Sequence, residues 1–309
     1  MVDIIDHIEE ARSRKAMTRR PTSQSLEDIL FYRLPVLDHG FLRVIDYMGD
    51  DSAVVQAART SYGLGTKSVS DDTALIRYLM RHRHTTPFEM AEIKWHAKLP
   101  IFVARQWIRH RTANVNEYSA RYSLMDNEFY IPTGEDLAQQ SASNKQGRGD
   151  ALSQQQAREV LDILKEDASR CYANYEWMVN DPSWDWHDPD RPGLARELAR
   201  INLPISAYTQ WYWKCDLRNL FHFLGLRADP HAQKEIRVYA EEMLRVLRMW
   251  VPVSTQAFED YHLNAFTLSA GMISVVQRVV AGETVNQENS GLSRREWDEV
   301  SATLKLPGS

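Results

Sequence analysis

The chain has 309 residues and a net charge of −5, with 43% hydrophobic and 26% charged residues. These fractions are typical of a globular protein and exclude a mainly disordered chain. The acidic net charge disfavours a protein that coats nucleic acid. The sequence contains no run of 18 consecutive apolar residues, so it predicts no membrane span.

Cysteine content bears on the cellular compartment. Cys171 and Cys215 are the only cysteines, too few for a disulfide framework or a cysteine-type zinc site. The first ten residues are acidic and lack the basic and apolar stretches of a signal peptide. We therefore expect a cytoplasmic protein in which Cys215 is a small packed residue.

The N-terminal third is predicted to contain an extension, a helix and a strand. Residues 1–37 are charged and weakly periodic, which indicates an extension with one short helix at 25–32. The spacing of apolar residues in 71–84 predicts a helix. Strict alternation over 91–99 predicts a strand with one buried and one wet face.

The remaining patterns predict an α+β domain. Helical periodicity is found over 101–111, 151–179, 194–201, 217–224 and 230–250. Short strands are predicted at 128–132 and 207–213, and a mobile polar insertion at 134–150. Helices outnumber strands, so we predict a single domain over 38–265 with a small antiparallel sheet flanked by long helices. Residues 266–309 are expected to form a C-terminal extension.

The densest group of functional side chains lies in residues 105–122, which contain four arginines and one carboxylate, Glu117. On a helix Arg105 and Arg109 share a face, whereas the consecutive residues 109–111 splay apart at a helix end. So many phosphate-type donors beside a hydroxyl and a carboxylate indicate a nucleotide site. A solvated, salt-bridged turn would have the same composition.

A histidine pair occurs in residues 81–89. His82 and His84 could bind a metal, but on a helix their rings point about 200° apart and chelate poorly. A helix end exposed to solvent, with His84 in a capping or packing role, explains the same residues.

A third polar cluster occupies residues 217–233. Arg218 and His222 share a helix face at a spacing of four. Arg227 is predicted to lie just before the next helix, where N-terminal amides favour anions. A helix–turn–helix packing unit with exposed charges would also fit.

Four short segments form an ordered set of motifs within residues 38–265. Arg109-His-Arg, then seven residues and Ser119, match RHRx7S within the longer pattern RHRxxSxNExSxRY, with Asn114 in place of the inner Ser. Residues 84–89 (HTTPFE), 199–204 (ARINLP) and 226–235 (LRADPHAQKE) match HTSPFEH, ARxxLP and LRxDxHAQxEI. Together these segments resemble the flavin-dependent thymidylate synthase family.

The resemblance implies a fold, an assembly and a reaction. It implies the fold of that family and a homotetramer whose active sites are shared between subunits. The expected cofactors are FAD and NADPH, and the expected substrates are dUMP and 5,10-methylenetetrahydrofolate. The implied reaction is the reductive methylation of dUMP to dTMP, in which the cofactor carries the hydride chemistry. No nucleic acid or membrane partner is expected.

The resemblance also implies site residues. The expected FAD contacts are Thr86, Arg109, His110, Arg111, Glu117, Asp216, Arg218 and His222. The expected dUMP contacts are Gln106, Arg109, Glu117, Tyr118, Ser119, Ala120, Arg121, Arg200 and Arg227. The implied catalytic residue is Arg227, whose fixed charge against the uracil edge would stabilise an N3-deprotonated or enolate-like uracil. Where the family often has Asn, this chain has Asp216 and His222, which could pair across the helix start.

Three other interpretations stay open from the residues alone. The Arg and aromatic segments could bind RNA or DNA, or His82 and His84 with His110 or His231 could form a metallohydrolase site. Ser119 could act as a nucleophile, although the sequence shows no His–carboxylate pair at a spacing that would activate it. Trp107 and the aromatic run Trp211–Trp213 are typical of a core but could stack on a flavin.

Overall fold

The structure, a computed structural model, describes residues 12–60, 71–141 and 147–306. It contains two compact units, Met1–Phe258 and Glu259–Ser309. The predicted site residues all lie in the first unit, which consists of a mixed set of strands and helices.

The first unit contains an antiparallel sheet with helices between its strands, so the predicted α+β class is confirmed. The strands are β1 (Leu34–Val36), β2 (Gly40–Met48), β3 (Glu92–Pro100), β4 (Asn114–Glu117), β5 (Ala138–Gln140), β6 (Arg148–Ala151) and β7 (Tyr208–Asp216). The helices are α1 (Gln24–Glu27), α2 (Asp51–Thr60), α3 (Asp72–Arg81), α4 (Ile101–Trp107), α5 (Gln154–Val179), α6 (Arg196–Ala199), α7 (Leu217–Arg227), α8 (Lys234–Trp250) and α9 (Pro252–Phe258). Short 3₁₀ turns cover Thr86–Met90, Gly134–Asp136 and Arg200–Asn202.

The main sheet has the strand order β1-β2-β3-β7-β4, and each neighbouring pair is antiparallel. Because side chains alternate along a strand, each row across the sheet faces one side. One apolar row consists of Val44, Trp95, Trp213 and Val115. The adjacent row, on the opposite face, is polar and consists of Arg43, His96, Tyr212 and Asn116.

An aromatic cluster joins the helices to the apolar face of the sheet. The ring of Trp107, the last residue of α4, lies 5.5 and 5.4 Å from the rings of Trp211 and Trp213 in edge-to-face contacts. It also contacts Phe223 of α7 at 4.9 Å and Tyr239 of α8 at 6.0 Å. All three tryptophans are buried, as predicted for core residues, and they fix the ends of α4 and α7 relative to the sheet.

The predicted wet face of β3 is wrong in its second half, where His96 and Lys98 are buried. His96 stacks on Tyr212 with ring centroids 5.0 Å apart, and its Nε2 lies 3.0 Å from Gln210 Oε1. Burial and then the charge of Arg43 lower the pKa of His96 to about 4. Lys98 forms an ion pair with Glu128. The alternation of residues along β3 assigns each side chain to a face of the sheet. The residues that cover this face come from distant parts of the chain, so the alternation does not predict its burial.

Several predicted element bounds are also corrected. The helix predicted over 101–111 ends at Trp107, because the chain must leave it to pair Asn114–Glu117 with β7. Residues 128–132 make only an isolated bridge, between Phe129 and Ala207, within the described chain.

The polar insertion predicted to be mobile contains regular structure. Its described parts, 134–141 and 147–150, form a 3₁₀ turn and the antiparallel pair β5–β6. Residues 142–146 lie outside the described chain. The hairpin is joined to α8 by an ion pair from Arg148 to Glu235, a long-range contact that polar composition does not reveal.

The second unit has its own small core. It contains a π turn over Glu259–Leu263 and the helices α10 (Ala270–Val280) and α11 (Arg294–Leu304). Ser269 and Ser293 cap the two helices. The buried apolar cluster consists of Met272, Val275, Val285, Trp297, Val300 and Leu306. Among the helices that the structure describes in either unit, none has the length and apolar character needed to cross a membrane.

Candidate active site

A cavity of about 340 Å³ lies where the chain leaves α4 and where α7 ends. It is lined by Arg109, His110, Arg111, Thr112, Trp213, Asn219, His222, Leu226 and Arg227. Since α4 ends at Trp107, Arg105 and Arg109 do not share a helix face, and that prediction is wrong. The structure does bring Arg109–Arg111 together with Arg227, across more than 100 residues of sequence.

Arg227 and His110 are hydrogen-bonded inside this cavity. Arg227 Nε donates to His110 Nε2 at 3.1 Å, and Arg227 Nη2 lies 3.4 Å from the backbone oxygen of Gln106. An acceptor Nε2 requires a neutral imidazole with its proton on Nδ1. Burial, followed by the nearby charges of Arg227 and His222, lowers the pKa of His110 to about 4. Burial also lowers the pKa of Arg227.

The charge of the cavity is positive and is not neutralised within its lining. None of the nine lining residues is a carboxylate, whereas three are arginines. Arg109 and Arg111 are exposed, whereas Arg227 is half-buried, and a cation that is partly removed from water without an acidic partner is costly. An anionic ligand is therefore the natural counter-charge for this set of donors.

Helix α7 supplies the wall of the cavity through one face. Asn219, His222 and Leu226 recur at helical spacing, and the His222 ring lies 5.8 Å from that of His110. Arg227 is the last residue of α7, and six residues separate it from the start of α8. The prediction that Arg227 sits at a helix N-terminus is therefore wrong.

Asp216 caps α7. Its carboxylate accepts hydrogen bonds from the backbone N–H of Asn219 at 2.8 Å and from Asn219 Nδ2 at 2.7 Å. Asp216 and His222 therefore do not pair with each other as suggested. Asp216 bonds to Asn219, and His222 packs against His110. Capping of α7 thus explains an acidic side chain at position 216, independently of any ligand.

Two further predicted FAD contacts lie at the opposite end of α7 from Arg227. Thr86 opens the exposed 3₁₀ turn Thr86–Met90, and the next residue along, Ala91, accepts a hydrogen bond from Leu217 N at 2.8 Å. Arg218 lies half-buried in the first turn of α7. An 11-residue helix is about 16 Å long, so the predicted FAD contacts at the two ends of α7 are separated by about this length.

The last residue of β4 and the segment after it carry five of the nine predicted dUMP contacts. Glu117 accepts a hydrogen bond from Thr209 Oγ1 at 2.8 Å, which holds the carboxylate against β7. Arg121 Nε lies 3.0 Å from Glu197, close in sequence to Arg200. Tyr118 and Ser119 complete the loop, and Ala120 is buried in the apolar cluster around α5.

The histidines at 82 and 84 pack around Tyr78 with ring-centroid distances of 4.4 and 5.8 Å. Both are exposed at the end of α3. In the described part of the chain no three His, Cys, Asp or Glu side chains are grouped so as to hold a metal ion. Cys215 is buried, and burial raises the pKa of its thiol well above the ordinary value, as expected for an inert packed residue.

Several residues at the cavity and beside it were not predicted from the sequence. Thr112, Asn219 and Leu226 line the cavity, and Thr209 and Gln233 hold Glu117 and Gln106. The helical spacing from His222 could have identified Asn219 and Leu226. Nothing in the sequence signals Thr209, because its pairing with Glu117 depends on the register of β4 against β7.

The donor set fits a dinucleotide that carries phosphates. Arg109, Arg111 and Arg227 offer guanidinium forks, which match phosphate oxygens in geometry and charge. A cavity of about 340 Å³ is smaller than a whole FAD molecule, so a bound FAD would also need surface outside it. The residues present are therefore compatible with FAD.

Comparisons with known proteins agree with this chemistry. The family model described as "Thymidylate synthase complementing protein" matches residues 43–253. The chain is 65% identical over 297 residues to a flavin-dependent thymidylate synthase of Gluconobacter oxydans, covering 96% of this chain and 95% of the relative. It is 63% identical to that of Ruegeria pomeroyi, covering 94% of each.

A solved structure gives the same result at the level of the fold. The UMP/dUMP methylase PolB from Streptomyces cacaoi, bound with 5-Br UMP, superposes with a TM-score of 0.64 at 31% identity. The match covers 74% of this chain and 97% of that one. These relationships supersede the nucleic-acid and metallohydrolase hypotheses. The chain belongs to the flavin-dependent thymidylate synthase family, and it is an FAD-dependent methyltransferase of dTMP biosynthesis.

Proposed function

We propose that the cavity between α4 and α7 is the site at which dUMP is methylated to dTMP, with 5,10-methylenetetrahydrofolate as carbon donor and NADPH as reductant. The observation that carries this assignment is the hydrogen bond from Arg227 to a neutral His110 in a cavity without carboxylates. The hydrogen bond orients the Arg227 guanidinium, and because no carboxylate lines the cavity, its positive charge is not neutralised there.

Arg227 is the residue to which we assign the activation of uracil. Its Nε is directed at His110 and one Nη approaches the Gln106 carbonyl, which leaves other N–H groups for a ligand. In a partly water-excluded site this charge stabilises an N3-deprotonated or enolate-like uracil more strongly than it would in water. The nucleophilicity of C5 rises as a result. FAD, when bound and reduced, supplies the hydride that completes the methyl group.

The other site residues are assigned to binding. For FAD we assign Thr86, Arg109, His110, Arg111, Glu117, Asp216, Arg218 and His222. For dUMP we assign Gln106, Arg109, residues 117–121, Arg200 and Arg227. The hydrogen bond from Thr209 supports Glu117 in this role because it fixes the direction of its carboxylate. Ser119 is assigned a hydrogen-bonding role rather than that of a nucleophile, since no adjacent base would activate its hydroxyl.

We further assign the catalytic domain to 38–265 with flanking extensions, and the active assembly to a cytoplasmic homotetramer with shared sites. Two features support sharing. The cavity on one chain holds only part of FAD, and all four residues of the edge strand β4 are exposed. Light scattering should give a mass four times that of the 35.8 kDa chain. A monomeric mass for an active, FAD-loaded sample would contradict the shared site.

The decisive test of the reaction is spectroscopic. The purified protein should show flavin absorbance that bleaches under anaerobic NADPH and bleaches faster when dUMP is present. Addition of the folate should then yield dTMP. A protein that cannot be loaded with FAD, or that reduces flavin without any response to dUMP, would contradict the assignment.

A further inference from the structure

A buried carboxylate lies next to the active site. Glu235, the second residue of α8, is 2% exposed. Its Oε1 accepts hydrogen bonds from Arg148 Nη2 at 2.5 Å and from the Tyr130 hydroxyl at 3.0 Å. Its Oε2 accepts from Gln233 Nε2 at 2.8 Å. Burial alone would raise the pKa of Glu235, but the hydrogen bonds from Arg148 and Gln233 outweigh it and lower the pKa.

The charge on Glu235 dictates the orientation of two amides. A carboxylate can only accept hydrogen bonds, so Gln233 must direct its NH₂ group toward Glu235. The remaining polar atom of Gln233, Oε1, can only accept, and it receives a hydrogen bond from Gln106 Nε2. The side-chain amide of Gln106 is therefore fixed as well, with its carbonyl oxygen left free for another partner.

Gln106 lies at the proposed nucleotide site. Its backbone oxygen is 3.4 Å from Arg227 Nη2, so the chain of hydrogen bonds ends beside the residue that we assign to uracil activation. We name the residues Arg148, Glu235, Gln233 and Gln106 the amide relay. It begins on the β5–β6 hairpin, which composition alone marks only as an insertion.

We propose that Glu235, paired with Arg148 of the hairpin, is a positioning residue that sets the donor and acceptor pattern which Gln106 presents to dUMP. The proposal rests on the proposed function, because it takes Gln106 as a dUMP contact. Glu235 acts through Gln233 and does not touch the ligand. In Glu235→Gln the new amide can donate as well as accept, so neither Gln233 nor Gln106 keeps a required orientation.

A purely structural role for the same cluster is the competing account. We name the ion-paired residues Asp136, Arg148, Lys234 and Glu235 the hairpin anchor. Within the described chain, Asp136 makes no hydrogen bond to Gln233 or Gln106. Asp136→Asn is therefore a matched control, because it makes the same change from carboxylate to amide in the hairpin anchor and keeps the hydrogen bonds from Glu235 through Gln233 to Gln106.

The test is a double-mutant cycle on the FAD-loaded enzyme with dUMP as the titrant, measured by calorimetry. Glu235→Gln should raise the Kd for dUMP by about tenfold, the size expected for one misdirected hydrogen bond, with unchanged FAD content. Asp136→Asn should leave this Kd unchanged. In the Gln106→Ala background, Glu235→Gln should have no further effect, because coupled residues are not additive. The turnover number at saturating dUMP should change less than KM.

The outcomes separate this proposal from the proposed function. A wild-type enzyme that does not bind dUMP would overturn both. A wild-type enzyme that binds dUMP, with equal effects of Glu235→Gln in the presence and absence of Gln106, would overturn only the amide relay. If Glu235→Gln does not fold, Gln233→Ala at an exposed position should raise the same Kd, and an unchanged Kd would overturn the proposal.

Discussion

The cavity and the hairpin anchor contain the same types of residue but differ in how their charges are balanced. In the cavity, Arg109, Arg111 and Arg227 lie among lining residues that include no carboxylate. In the anchor, Arg148 and Lys234 are each paired with Asp136 or Glu235. Unbalanced cations create a place for an anionic ligand, whereas balanced ones hold elements together. The partners, more than the density of charge, therefore distinguish a binding site from a structural cluster.

The largest effect is expected at Arg227. Arg227→Ala removes the only charge that we place against uracil, so we expect FAD to stay bound while dUMP binding and C5 deprotonation are lost. The loss of kcat/KM should be about 100- to 1,000-fold, as for the removal of one preorganised electrostatic group. Tritium release from [5-³H]dUMP measures the step directly. Release at the wild-type rate would refute the assignment.

A smaller effect on two ligands is expected at Arg109. Because one guanidinium is assigned to both FAD and dUMP, Arg109→Ala should weaken each by about ten- to a hundredfold, the equivalent of a lost charge-assisted hydrogen bond. Arg105→Ala is the matched control, since Arg105 is exposed on α4 and does not line the cavity. Equal behaviour of the two variants in FAD and dUMP titrations would show that the cavity is not the site.

The cap of α7 gives an effect on stability that is separate from the FAD contact assigned to Asp216. Asp216→Ala removes the acceptor for Asn219 N and should lower the free energy of unfolding by about 1 kcal/mol. Asp216→Asn keeps an acceptor oxygen and should recover most of it. Urea unfolding of both variants measures this. A loss of FAD in Asp216→Asn without any loss of stability would support the assigned FAD contact, whereas an unchanged free energy of unfolding in Asp216→Ala would contradict the cap.

The smallest expected effect is the pH dependence of the free energy of unfolding, to which His96 of the sheet and His110 of the cavity both contribute. Burial lowers the pKa of both His96 and His110 to about 4, whereas an unfolded histidine titrates near 6.5. The unfolded chain therefore binds more protons, and stability falls as the pH drops from about 6.5 toward 4. Between pH 7 and 6 the buried His96 should contribute under about 1 kcal/mol. Urea unfolding of His96→Gln should show a shallower pH dependence, and an unchanged slope would contradict the burial argument.

The sequence by itself determined the class of fold and the family. Apolar periodicity located the helix with residues Asp72–Arg81, which Asp71 caps, and the two central strands. Four ordered motif segments, one of them around Arg109–Arg111, indicated the family before any geometry was known. These features are local, since a helical period, a strand alternation and a motif of 14 residues are each contained within one short window.

The tertiary structure alone decided how those residues are paired. The early end of α4, the burial of His96 and the hydrogen bond between Arg227 and His110 all depend on contacts between residues far apart in the chain. The hairpin shows the same limit, because a polar composition predicts exposure but not the ion pair from Arg148 to Glu235. Free energy of burial and charge balance are properties of neighbours in space, and a single sequence does not specify those neighbours.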